Sequence, residues 1–67
     1  MSGIIIQVIN GGTIYPVLVN LGHRIVEQAV DHRMMDSIVA GEGVERPADL
    51  VGREVELSAD GMTIAFV

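Results

Sequence analysis

The fold of this chain depends on residues 22–33, Gly-His-Arg-Ile-Val-Glu-Gln-Ala-Val-Asp-His-Arg. At about 3.6 residues per turn, the apolar and polar side chains of this stretch separate onto opposite faces, which predicts an amphipathic helix. The apolar face consists of Ile25, Val26, Ala29 and Val30. Such a helix must cover a sheet, and the flanking segments 4–19 and 53–67 are rich in strand-forming residues. We therefore expect a sheet with one packed helix.

The apolar pattern of this stretch breaks near Arg33. A helix continued beyond that point would place Arg33 near the centre of the apolar face and turn Ile38 and Val39 away from it. We therefore predict that the helix ends or kinks there and that 36–40 leads out as a turn or short strand. Residues 42–49, which are polar and contain Gly43 and Pro47, are predicted to form the longest loop.

The N-terminal part of the chain predicts a hairpin with two apolar faces. Segments 4–9 and 13–19 are rich in β-branched residues and are separated by Asn10-Gly11-Gly12, which suits a tight hairpin turn. The pairing predicts one face made of Ile4, Ile6, Val8, Tyr15, Val17 and Val19. The other face is predicted to hold Ile5, Gln7, Ile9, Ile14, Pro16 and Leu18. One helix covers only one of these faces, so the second must meet another part of the chain or another molecule.

Two further features concern the sheet. Pro16 has no backbone N–H, which predicts that the second strand lies at a sheet edge. A second hairpin is predicted at the end of the chain, turning through Asp60-Gly61. Its register places Val55, Leu57, Ile64 and Phe66 on one face, and Glu54, Glu56, Ala65 and Val67 on the other.

The order strand, strand, helix and closing strand pair resembles the β-grasp architecture. Residues 51–57 and 60–64 are similar to the ends of small sulfur-carrier and TGS domains of that fold. In β-grasp sheets the second strand is an edge, which agrees with Pro16. The carriers end in a flexible Gly-Gly tail, whereas this chain ends in Ala65-Phe66-Val67, so a carrier role is not implied. The expected fold is thus a single α+β domain, 1–67, with a small β-grasp-like sheet and one packed helix.

The alternative fold is a small five-stranded OB-like or SH3-like β-barrel. In the OB-like form, 24–30 would be the third strand and 31–37 a short helix. Residues 20–23 are similar to the turn between strands two and three of bacterial translation initiation factor one. This fold would make the second strand internal, which Pro16 disfavours, and the RNA contacts of such a family are disfavoured by the acidic charge of the chain.

Composition limits the possible functions. The chain has 67 residues and a formal net charge of −5, and its four basic residues are all arginines scattered along the sequence. It has no cysteine, no segment like a signal peptide and no window near the roughly 18 apolar residues of a membrane span. We expect a cytoplasmic protein that binds neither nucleic acid nor membrane.

No catalytic, cofactor or metal motif of useful specificity is found. On the predicted helix His23 and His32 point in opposite directions, and His32 with Asp36 supplies only two ligands, so we expect no metal and no cofactor. An enzyme would have to use Asp31, His32 or Asp36, and a nucleic-acid-binding barrel would need the arginines to converge. These arginines are Arg24, Arg33, Arg46 and Arg53.

The two-faced hairpin instead favours a non-enzymatic protein-interaction or assembly module. We expect it to form a homo-oligomer, or to bind a protein partner, through the face that the helix leaves uncovered. The predicted interaction surface consists of Ile5, Ile9, Ile14 and Leu18.

Overall fold

The computed structural model describes residues 1–60 and 63–67, and within them the chain forms a five-stranded sheet, one α-helix and a short 3₁₀ turn. The strands are β1 (Ser2–Val8), β2 (Ile14–Asn20), β3 (Ile25–Asp31), β4 (Glu54–Leu57) and β5 (Ile64–Phe66). The helix α1 (His32–Glu42) follows β3, and the 3₁₀ turn (Pro47–Leu50) precedes β4. The strand order is β3-β2-β1-β4-β5, and each neighbouring pair is antiparallel. The predicted α+β class is confirmed.

The prediction of a helix over 22–33 is wrong, because most of this stretch forms β3. It pairs with β2 along its whole length, from Ile25 opposite Asn20 to Asp31 opposite Ile14. Val26 and Val30 are four residues apart, a spacing that puts two side chains on one face of a strand as well as of a helix. The β-branched residues favour the strand, and its long pairing with β2 decides between the two.

The break in the pattern near Arg33 is real, but a helix starts there instead of ending. Asp31 is the N-cap of α1, and its carboxylate accepts a hydrogen bond of 2.8 Å from the backbone N–H of Met34. The helix therefore occupies the segment predicted to lead out as a turn or short strand. Within α1 the side chain of Met35 is buried. Gly43, with a positive φ of 70°, ends the helix.

Three strands thus precede the helix, which is the element order of the OB-like alternative and not the ββα order of the β-grasp. β2 lies between β3 and β1, so the prediction of an edge strand at Pro16 is wrong as well. The carbonyl of Pro16 accepts a hydrogen bond of 2.9 Å from the N–H of Ile9. The ring nitrogen points to the same side, so the missing N–H removes only the second bond between Ile9 and Pro16, at the end of the β1 ladder, and β2 still pairs with β3 along its whole length.

A β-bulge changes which side chains of β1 face the core. Ile5 pairs with Val19, but the next pair is Gln7 with Leu18, so Ile6 is an extra residue in β1. The predicted faces hold on the turn side of the bulge, where Val8 lies opposite Val17. Beyond the bulge they exchange, and Ile5 joins the core with 1% of its surface exposed.

The core lies between the inner face of the sheet, α1 and the 3₁₀ turn. Its buried members are Ile5, Val17, Val19, Val30, Met35, Leu50, Val55 and Leu57. The second hairpin has the predicted register, since Val55 lies opposite Phe66 and Leu57 opposite Ile64. Part of its predicted turn, Asp60-Gly61, lies outside the described residues.

Candidate interaction surface

The outer face of β1 and β2, opposite the core, carries a group of aliphatic side chains with one polar residue among them, Gln7, which lies directly opposite Leu18. Strand alternation and the bulge bring them to this side, where the four isoleucines are each 40–44% exposed. Pro16 and Leu18, both half-buried, lie between them on β2. We call this group the outer strip; it consists of Ile4, Ile6, Ile9, Ile14, Pro16 and Leu18.

The two strands beside the outer strip carry acidic side chains on the same face. Glu27 of β3 lies directly opposite Leu18, and Glu54 of β4 lies directly opposite Ile4. Asp31 and Glu56 extend the acidic flank on each side, one on β3 and one on β4. Among the outward-facing side chains of the described strands none is basic. Apart from Gln7, the centre of this face is therefore apolar, and both of its flanks are acidic.

Two of the four flanking acids have partners within the chain. The carboxylate of Asp31 caps α1, as described above. Glu56 accepts hydrogen bonds from the amino group of Met1 at 2.7 Å and from the hydroxyl of Ser2 at 2.6 Å. The Met1 amino group and the Ser2 hydroxyl together lower the pKa of Glu56. Glu27 and Glu54 make no ion pair in the described part of the chain.

Three of the four residues predicted as the interaction surface lie in the outer strip: Ile9, Ile14 and Leu18. The fourth, Ile5, does not, because the bulge turns it into the core. Sequence reasoning assigned Ile4 and Ile6 to the face covered by the helix. The bulge puts them on the outer face instead, and no residue in the run 4–6 marks its position in the sequence. It also missed Ile25, which is 57% exposed on this face at the start of β3. A strand interpretation of 22–33 would have found Ile25.

The residues that an enzyme would need are not enclosed by the fold. Asp31, His32 and Asp36 are all exposed at the start of α1, and the Asp31 carboxylate is used in capping it. Two grooves on the surface of the described residues have other linings. One is formed by Ser2, Gly3, Ile4, Asn20, Leu21, Gly22 and Glu54, the other by Val8, Asn10, Tyr15, Arg46, Pro47 and Ala48.

None of the four arginines lies within a described strand, and two of them are paired with acids. Arg53 donates to Glu42 at 3.2 Å, and Arg46 lies 3.5 Å from a carboxylate oxygen of Asp49. Within 1–60 and 63–67 there is no group of three or more potential metal ligands. Nor does that part of the chain contain a helix with the length and apolar character needed to cross a membrane.

No protein-family model, no curated protein and no solved structure matches this chain.

Proposed function

We propose that this protein is a non-enzymatic interaction or assembly module that buries its outer strip against another protein surface. The observation that carries the proposal is the contrast between the two faces of one hairpin. Both are aliphatic, yet α1 and the 3₁₀ turn cover only the inner one. Burying an exposed aliphatic side chain contributes about 1.5–3 kcal/mol, so several together supply a large driving force for association.

The charge around the outer strip supports a protein surface over a nucleic acid or a membrane. Nucleic-acid binding draws on basic side chains that displace counterions from phosphates. Here the strip is flanked by acids, and Arg46 and Arg53 are engaged in ion pairs elsewhere. The same acids would repel anionic lipid headgroups. We therefore expect no retention of the protein on heparin at physiological salt.

A second copy of the chain is one possible occupant of the outer strip, as the sequence analysis expects. Two sheets pack face to face at about 10 Å through interleaved aliphatic side chains, and the outer strip offers such side chains. A light-scattering mass above the 7.2 kDa of one chain, at micromolar concentration, would show self-association.

The proposal is tested by asking whether the outer strip is covered in the cell. Because the chain has no cysteine, a single thiol can report on one position. Ala29→Cys places it on the outer face of β3, at the margin of the strip and opposite Pro16. Ser37→Cys is the matched control, since Ser37 is exposed on α1, away from the strip. The rate of thiol alkylation is measured for both variants, purified and dilute, and then in an extract of the native host.

We expect the thiol at position 29 to react at least about tenfold more slowly in the extract than in dilute solution, because a bound protein excludes the reagent. The thiol at position 37 should react at similar rates in both. Equal reactivity of both thiols in the extract would mean that the outer strip is open to water in its native surroundings, and would contradict the proposal.

A further inference from the structure

The outer strip and its acidic flanks are elongated along the strand direction of the sheet. The apolar side chains run along β1 and β2, and the acids lie on the neighbouring strands at either side, parallel to the strip. β1 and β2 have seven residues each, a length of about 23 Å at the usual rise per strand residue. An α-helix of the same length has about 15 residues.

We propose that the partner of the outer strip is a cationic amphipathic helix, with an apolar face flanked by lysine or arginine on both sides. This inference rests on the proposed function and adds the chemistry of the partner. A helix laid along β1 and β2 places its apolar face on the strip, while its flanking cations reach the acids of β3 and β4.

The charge of the flanks distinguishes this partner from a second copy of the chain. Glu27 and Glu54 stand on opposite sides of the strip and have no ion pair within the described residues. Two copies packed face to face would bring acids near acids, because no basic side chain lies on this face of the described strands. A cationic helix instead supplies the charges that both flanks lack, and such complementarity selects the partner and its orientation.

The test uses three fluorescein-labelled peptides of 18 residues. The first places leucine on one helical face and lysine on the rest. The second has the same composition in scrambled order, so that its charge is unchanged but its apolar face is lost. The third replaces each lysine with glutamate. Their affinities for the full chain are measured by fluorescence anisotropy at physiological salt.

Two double variants separate the flanking charges from the net charge of the protein. Glu27→Gln with Glu54→Gln removes one acid from each flank. Asp36→Asn with Glu45→Gln makes the same change in net charge at exposed positions away from the strip. Ile4→Thr with Ile14→Thr removes two isoleucines from the strip and leaves every charge in place.

We expect the lysine-flanked helix to bind at least about tenfold more tightly than either other peptide. The flank variant should weaken this binding by about three- to tenfold, as for two ion pairs at the rim of an interface, whereas its charge-matched control stays within about twofold of the wild type. The strip variant should weaken binding by about tenfold or more.

Equal binding of the ordered and scrambled lysine peptides would overturn the inference, as would equal effects of the two charge variants, because either result means nonspecific attraction to an acidic protein. Preference for the glutamate peptide, or oligomerisation through the strip that excludes all three, would overturn it in favour of another occupant. Those results leave the proposed function standing if the thiol at position 29 is protected in the extract. If that thiol is not protected, the proposed function and the cationic-helix partner are both rejected.

Discussion

The inner and outer faces of the β1–β2 hairpin are built largely from the same kind of residue but differ in their exposure to solvent. Ile4 and Ile5 are neighbours in β1 with identical side chains, yet Ile5 is 1% exposed in the core and Ile4 is 42% exposed in the outer strip. What separates them is the cover of α1 and the 3₁₀ turn, which lies on one face only. Aliphatic content alone therefore does not show which face of the hairpin is buried in the fold; the position of the helix shows it.

The largest expected effect comes from truncating this pair of isoleucines one at a time. Ile5→Ala should lower the free energy of unfolding by about 2–5 kcal/mol, because it leaves a cavity among Val19 and its neighbours. Ile4→Ala should lower it by about 0.5 kcal/mol, as at an ordinary surface site. Urea unfolding of both variants measures the difference.

A loss of that size is comparable with the whole stability of a small domain, and if Ile5→Ala is unfolded it gives no unfolding transition to measure. Ile5→Val, expected to cost about 0.5–1.5 kcal/mol, then takes its place, with Ile4→Val as the control. A larger effect at position 4 than at position 5 would show that β1 has no bulge and that the two faces are wrongly assigned, and equal effects would contradict the difference in burial between the two side chains.

Close packing of the inner face is tested next at Gly3. A Cβ atom at this position would lie 2.5 Å from Val19 Cγ1 and 2.9 Å from the carbonyl oxygen of Asn20. Gly3→Ala should therefore destabilise the protein by about 1–3 kcal/mol through overpacking. Gly41→Ala in α1, where nothing lies within 4 Å of the added atom, should instead stabilise by up to about 1 kcal/mol. Thermal unfolding that shifts both variants in the same direction would contradict this packing.

The junction between β3 and α1 is tested by removing the N-cap. Asp31→Ala should lower the free energy of unfolding by about 1 kcal/mol, because the N–H of Met34 loses its hydrogen-bond acceptor. Asp36→Ala removes the same charge within the helix and should have a smaller effect. If Asp36→Ala proves the more costly of the two, α1 does not begin at His32.

The smallest effect concerns the titration of Glu56 on the outer face. Its carboxylate is held by the Met1 amino group and the Ser2 hydroxyl, which lower its pKa. A lowered pKa means stability that is present above the ordinary carboxyl pKa and lost as the pH falls through the pKa of the folded state. Ser2→Ala should raise the pKa of Glu56 toward its usual value, as measured by NMR titration. An unchanged pKa would show that Ser2 makes no such contact.

Much of this architecture was predictable from local signals. The turn at 10–12 and the alternation in the second hairpin each point to one structure, and that hairpin has the register predicted for it. The stretch 22–33 was ambiguous, because Val26 and Val30 share a face in a strand and in a helix alike. Its pairing with β2 is a long-range interaction that no local pattern contains. The same pairing makes β2 internal despite Pro16.

Only some of the residues of the outer strip could be predicted from the sequence. Ile9, Ile14 and Leu18 lie on the face that the helix leaves uncovered, which is the face predicted for them. The exchange of Ile4 and Ile5 follows from one inserted residue, Ile6, which has no special chemistry to reveal it. The acidic flanks became visible only when β3 and β4 were placed on either side of β1 and β2.

The most direct test of the account separates folding from binding in one variant. Ile4→Thr with Ile14→Thr keeps β-branched residues in both strands and removes two exposed isoleucines of the outer strip. The variant should unfold within about 1 kcal/mol of the wild type. In sedimentation of a native-host extract, it should move as a free chain of 7.2 kDa, while the wild type moves in a larger complex. Identical sedimentation of the two chains, with both folded, would contradict the claim that the outer strip binds a protein.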